Sequence, residues 1–222
     1  MIVIVDTGGA NHASIQNAIK RLGLASDVSL DARAIRAASH VVLPGVGHAG
    51  FAMRRLRDAG LVEALVGLAQ PVLGICLGMQ ILFQRSEEGD AECLGVLPGV
   101  VGALRPGPEW RVPNMGWSQL APARESARAA GAFAGSDGEM RGSDGEAGAG
   151  EALLRGIHAD AYFYFVHSFA APLGPWAAAT SRDPRRIPAV VARRNFVGTQ
   201  FHPERSGRPG ARLLANFLGA SQ

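Results

Sequence analysis

Short, wholly apolar runs alternate with amphipathic stretches along the first third of the chain. Residues 2–5 are continuously apolar and read as a buried strand. Ser14 can cap a helix running to Leu22, with Gly23 placed to stop it. Residues 40–43 form a second apolar run, closed by Pro44-Gly45-Val46-Gly47. Helical spacing follows over 51–58 and 61–68, and 72–75 is a third strand. This strand–helix rhythm predicts a parallel sheet covered on both faces. The second half is richer in strands, at 100–104, 161–166, 177–180, 189–192 and 196–200, and residues 208–219 read as a closing helix. The expectation is one α/β domain over 1–222, an open, mostly parallel sheet with helices on both faces.

One stretch breaks the pattern. Residues 121–150 are rich in alanine and glycine, and Gly-Ser-Asp-Gly-Glu occurs at 135–139 and again at 142–146. Such a composition buries too little apolar surface to offset its ordering entropy. It reads as a flexible surface insertion, because strands resume after it. The apolar stretch 61–83 could be mistaken for a membrane span. Glu63, Gln70, Pro71 and Gln80 interrupt it, and its period changes at Pro71, so helix, turn and strand fit better.

Composition changes this picture little. The chain has 222 residues, 47% hydrophobic, enough for a sizeable core. Net charge is +3, and the arginine doublets at 54–55, 185–186 and 193–194 are scattered among acidic residues. Neither feature marks a nucleic-acid surface. No secretory signal precedes the first strand, and the two cysteines, Cys76 and Cys93, make neither a disulfide framework nor a zinc pattern. A cytoplasmic chain without metal or cofactor is expected.

The chemistry concentrates at Gly74-Ile75-Cys76-Leu77-Gly78. A nucleophile with glycine at −2 and +2, between a strand and a helix, has the form of a nucleophile elbow. A helix start favours the thiolate. A cysteine nucleophile needs a base and an orienter for that base. Of six histidines, only His202 has a carboxylate at i+2 held by a proline, in His202-Pro203-Glu204. In an extended segment i and i+2 project to one side, so Glu204 can reach one imidazole nitrogen while the other faces the thiol. The Leu77 N–H and the Gly45–Val46 peptide suit an oxyanion hole. Cys93, without a nearby base, reads as structural.

These blocks, in this order, resemble the class I, triad-type glutamine amidotransferases. The likeness is greatest to the glutaminase subunits of imidazole glycerol phosphate synthases. It rests also on Val112-Pro113-Asn114-Met115-Gly116-Trp117, on 162–169, and on Gly198-Thr199-Gln200-Phe201-His202-Pro203-Glu204-Arg205-Ser206-Gly207. It covers nearly the whole chain outside 121–150. The resemblance implies that Cys76 attacks a glutamine side-chain amide, with His202 as proton shuttle and Glu204 as its orienter. It implies an oxyanion hole at Gly45, Val46 and Leu77, and glutamine-binding positions at Gly47, Gln80, Val166, His167, Ser168 and Phe169. It implies a separate (βα)8-barrel cyclase as partner, met through Asn11, Trp117 and Arg205. Three positions depart from the family's pattern: Thr7, Ala10 and Asn114. The departures leave the triad intact and bear on partner contacts and regulation. The alternatives are a sister amidotransferase, a cysteine peptidase and a silent regulatory subunit.

Overall fold

The computed structural model describes residues 1–9, 11–123 and 146–220. The first half runs β1 (Ile2–Val5), α1 (His12–Arg21), β2 (Ser26–Ser29), α2 (Ala32–Ala37), β3 (His40–Gly45), α3 (Ala49–Asp58), α4 (Val62–Val66), β4 (Val72–Cys76) and α5 (Leu77–Gln80). Three short strands follow, β5 (Arg85–Ser86), β6 (Ala91–Glu92) and β7 (Val100–Ala103), then the long β8 (Asn114–Pro122). Next come α6 (Glu146–Leu153), β9 (Tyr162–His167), β10 (Phe169–Ala170), β11 (Ala177–Ser181), β12 (Pro188–Arg193) and β13 (Phe196–Thr199). A 3-10 turn (Pro203–Arg205) leads into α7 (Gly207–Leu218).

The main sheet has nine strands in the order β2-β1-β3-β4-β13-β12-β11-β8-β9. From β2 to β13 neighbours run parallel, and from β12 to β9 the ladder is antiparallel. A smaller sheet, β10-β7-β5-β6, lies apart. Strand β1 shows why the apolar runs are continuous. Val3 and Val5 face one core with Ile35, Met53 and Leu56, while Ile2 and Ile4 face the other with Ile15, Ile19 and Leu213. A strand covered on both sides needs apolar residues at every position.

Two expectations require correction. Helix α1 is capped by Asn11, whose side chain accepts from the Ser14 N–H at 3.4 Å, not by Ser14 itself. The proposed insertion over 121–150 is too wide at both ends. Residues 121–122 belong to β8, and 146–150 begin α6, which packs on β11, β12 and α7. A Cβ at Gly150 would lie 2.5 Å from the Ala178 Cβ, so small residues there permit close helix–sheet contact. The low-complexity composition concealed a packed helix. The remainder, 124–145, lies outside the described residues, as does the departure at Ala10. The apolar stretch 61–83 divides into α4, β4 and α5. Among the described residues no helix is long and apolar enough to cross a membrane.

Candidate active site

Cys76 ends β4 and immediately precedes α5, with φ 54° and ψ −111°. An L side chain seldom adopts this backbone, and the strain costs about 1–3 kcal/mol. Packing enforces it. A Cβ on Gly78 would run into the Leu43 carbonyl, and one on Gly74 would lie 2.7 Å from the Gly78 carbonyl oxygen. The sharp turn therefore needs both glycines, as the motif predicts. Cys76 is 6% exposed.

The base arrives from the neighbouring strand. β13 pairs with β4 in parallel, Gly198 beside Gly74 and Thr199 beside Ile75. The chain then passes through Gln200 and Phe201 to His202. The His202 N–H donates to the Tyr164 carbonyl at 3.0 Å. The Ser206 hydroxyl donates to the His202 carbonyl at 2.6 Å and accepts from the Tyr164 N–H at 3.0 Å. Both backbone groups of the histidine are thus tied down, to β9 and to the turn.

His202 Nδ1 lies 2.8 Å from Glu204 Oε1, and the two side chains are 5% and 2% exposed. Nε2 is buried and makes no formed hydrogen bond. It is nevertheless the ring nitrogen left for the thiol. Burial alone would lower the His202 pKa. The proximity of Cys76 and the hydrogen bond and charge of Glu204 outweigh it and raise the value to about 10. The site therefore favours an imidazolium, a group able to deliver a proton.

The oxyanion residues stand together. Gly45 is in register with Cys76 across β3 and β4, and a Cβ on Gly45 would lie 2.7 Å from the Leu77 Cβ. Leu77 is the first residue of α5, so its N–H has no partner within the helix. Thr7 touches this loop: its hydroxyl donates to the Pro44 carbonyl at 2.9 Å. A Cβ on Gly9 would lie 2.7 Å from the Val46 carbonyl oxygen, so residues 7–9 rest against the loop. Gly47 has φ +98° and open space around it.

Most residues assigned to glutamine binding meet at the elbow. The Cys76 thiol donates to the Val166 carbonyl at 3.8 Å. Gln80 Nε2 donates to the Phe169 carbonyl at 2.8 Å. The Ser168 carbonyl is turned away, accepting from the Leu104 N–H at 2.8 Å. His167 is buried, its pKa lowered to about 4 chiefly by desolvation. As a neutral ring it donates from Nδ1 to the Phe169 carbonyl at 2.8 Å and accepts at Nε2 from Asn114 at 3.0 Å. Its side chain is a brace, not the base. Two departures from the family pattern, Thr7 and Asn114, therefore bond to residues of the site itself.

Asn11 is exposed and caps α1, which packs on the Pro203–Arg205 turn. Trp117 is 56% exposed and meets Tyr164 edge-on at 5.7 Å. The Arg205 guanidinium lies over the same ring at 5.3 Å. Met115 and Tyr162 extend this exposed apolar strip along β8 and β9.

Sequence reasoning missed Gln200. Its amide is fully buried, and Nε2 lies 3.8 Å from Cys76 Sγ. Position i−2 from His202 in an extended segment was the available signal. Cys93 is a half-buried thiol that desolvation pushes up to about 11, consistent with an inert group. No cluster of metal-ligating side chains occurs among the described residues.

Comparison with known proteins agrees with this geometry. The glutamine amidotransferase class-I family profile matches residues 3–220. The imidazole glycerol phosphate synthase subunit HisH of Xanthomonas euvesicatoria is 46% identical over 220 residues, 99% of this chain and 98% of that protein. The Xylella fastidiosa (Temecula1) protein of the same name is 44% identical over 217 residues, 98% and 96% of the two chains. Among solved structures, one described as a glutamine amidotransferase aligns with TM-score 0.69 and 17% identity, covering 99% of this chain and 97% of its own. The structure of PurLQS from Thermotoga maritima aligns at 0.60 and 17%, covering 98% and 97%. The structural likenesses establish the shared fold, and the sequence matches span essentially the whole chain. The chain belongs to the class-I glutamine amidotransferase family.

Proposed function

We propose that this chain is the glutaminase subunit of a two-chain imidazole glycerol phosphate synthase, a step of histidine biosynthesis, acting in the cytoplasm. The observation that carries this reading is the buried Cys76–His202–Glu204 constellation at a strained elbow. The full-length likeness to proteins named HisH supports the choice of synthase.

The chemistry follows from the site. Cys76 sulfur adds to the side-chain amide carbon of glutamine, and the Leu77 N–H with a Gly45–Val46 peptide N–H holds the developing oxyanion. His202, kept protonated by Glu204, gives its proton to the leaving nitrogen. Ammonia departs and a γ-glutamyl thioester remains. His202, now neutral, takes a proton from water as the water oxygen attacks the thioester. The C–S bond breaks and glutamate leaves. Loss of one oxyanion donor costs roughly 100- to 1000-fold in rate, so a hole completed only on partner binding acts as a switch. Ammonia passes to a (βα)8-barrel cyclase subunit docked on the Asn11, Trp117 and Arg205 side.

The test is glutamate release from glutamine by the chain alone, then with a cyclase partner and its ribonucleotide substrate. Strong release only in the complex supports the reading. Release with an anthranilate synthase partner instead would reassign the chain within its family, and no release in any complex would make it a silent subunit.

A further inference from the structure

The orientation of the Gln200 amide is dictated by a chain of bonds. The Phe169 backbone carbonyl can only accept, so the Gln80 group 2.8 Å away must be its NH2. The second N–H of that NH2 lies 3.0 Å from the Gln200 amide, so the Gln200 atom facing it must be oxygen. Gln200 therefore turns its own NH2 toward Cys76 Sγ, at 3.8 Å. Each bond leaves the next no choice. Both amides are away from solvent, Gln80 being 3% and Gln200 0% exposed.

We propose that Gln200 is a positioning residue that donates a hydrogen bond to the Cys76 thiolate, its polarity fixed through Gln80 by the Phe169 carbonyl. A neutral thiol here can give its proton to the Val166 carbonyl. A thiolate has no proton to give and accepts from Gln200. A donor aimed at the charged form favours that form. The other titratable group bearing on the sulfur is His202, with Glu204 behind it; the neutral His167 on β9 acts on His202. The inference also changes the expected role of Gln80. Both its N–H groups are committed internally, leaving only Oε1 for a ligand. The proposal rests on reading Cys76 as the nucleophile.

The test is the pH dependence of iodoacetamide alkylation of the full chain, carried out without glutamine or partner. The readout thus stays valid even if the chain proves to hydrolyse nothing. Cys93 is replaced by alanine throughout, so the reaction reports Cys76. Gln200→Met keeps the side-chain length and removes the donor. It is expected to raise the alkylation midpoint by about one pH unit, read as an about tenfold slower reaction at pH values below both midpoints. An unchanged midpoint in a folded variant overturns the proposal. Gln200 is wholly buried, so a second measurement uses the unsubstituted side chain. The Gln200 side-chain amide resonances should titrate with the same midpoint as Cys76 alkylation. Resonances that do not move through that range overturn it equally.

Discussion

Glu204 Oε1 contacts His202 Nδ1 at 2.8 Å across a turn only two residues long, and both side chains are sealed from water. Pro203 sits between them and sets the reach. Removing the charge while keeping the shape, in Glu204→Gln, should leave His202 poorly protonated at neutral pH. We expect kcat for glutamine hydrolysis to fall about 100-fold or more, with a far smaller change in KM. Steady-state glutamate release in the partner complex measures both. An effect confined to KM would assign Glu204 to substrate binding.

Two buried histidines should shape stability against pH in opposite directions. His202 titrates near 10 in the folded chain, above its unfolded value of about 6.5. Its contribution is complete below pH 6.5 and is lost as pH rises through 10. His167 titrates near 4, below its unfolded value, so its contribution is complete above pH 6.5 and is lost as pH falls toward 4. Thermal melts from pH 4 to 10 should peak near 6.5. Glu204→Gln should flatten the alkaline limb, and a limb of unchanged slope would remove His202 as its cause.

The strain at Cys76 predicts an inversion. At an ordinary position alanine is better tolerated than glycine. At φ 54° and ψ −111° alanine keeps the strain and glycine releases it. Cys76→Gly should therefore be more stable than Cys76→Ala by about 1 kcal/mol, within the range for such strain. Both should lack glutaminase activity. Chemical denaturation of the two variants decides, and the opposite order would mean that the elbow relaxes without its thiol.

Trp117 is half exposed and meets the Tyr164 ring edge-on. Trp117→Ala should change the stability of the isolated chain by no more than about 1 kcal/mol. Affinity for the cyclase should fall at least about tenfold, as truncating an interface tryptophan commonly does. Calorimetry of the isolated chain and titration with the partner separate the two effects. Unfolding of the isolated variant would place the residue in the core.

Much of this was legible in the sequence, for identifiable reasons. Continuous apolar runs at β1, β3 and β4 can only be strands buried on both faces. Glycines around Cys76 and a proline-held carboxylate after His202 carry local geometry in their spacing. In the antiparallel half the runs of β9, β11 and β12 were legible, but β8 was not, because it has one solvated face and Trp117 and Met115 stand exposed on it. Helix α6 was hidden because its glycine and alanine are what close packing requires, and the same residues mark unfolded segments. Gln200 was missed because its meaning depends on Gln80 and Phe169, partners far away in sequence.

Strand β13 is the last strand in the chain, yet it lies in the middle of the sheet, between β4 and β12. That placement has a consequence for biosynthesis. A nascent chain can make the nucleophile turn early, but the sulfur has no base beside it until β13 emerges and inserts. The two halves of the site are brought together by the same event that completes the sheet. Glutamine turnover thus certifies a finished fold, and truncated or stalled products should carry a thiol without the means to release ammonia.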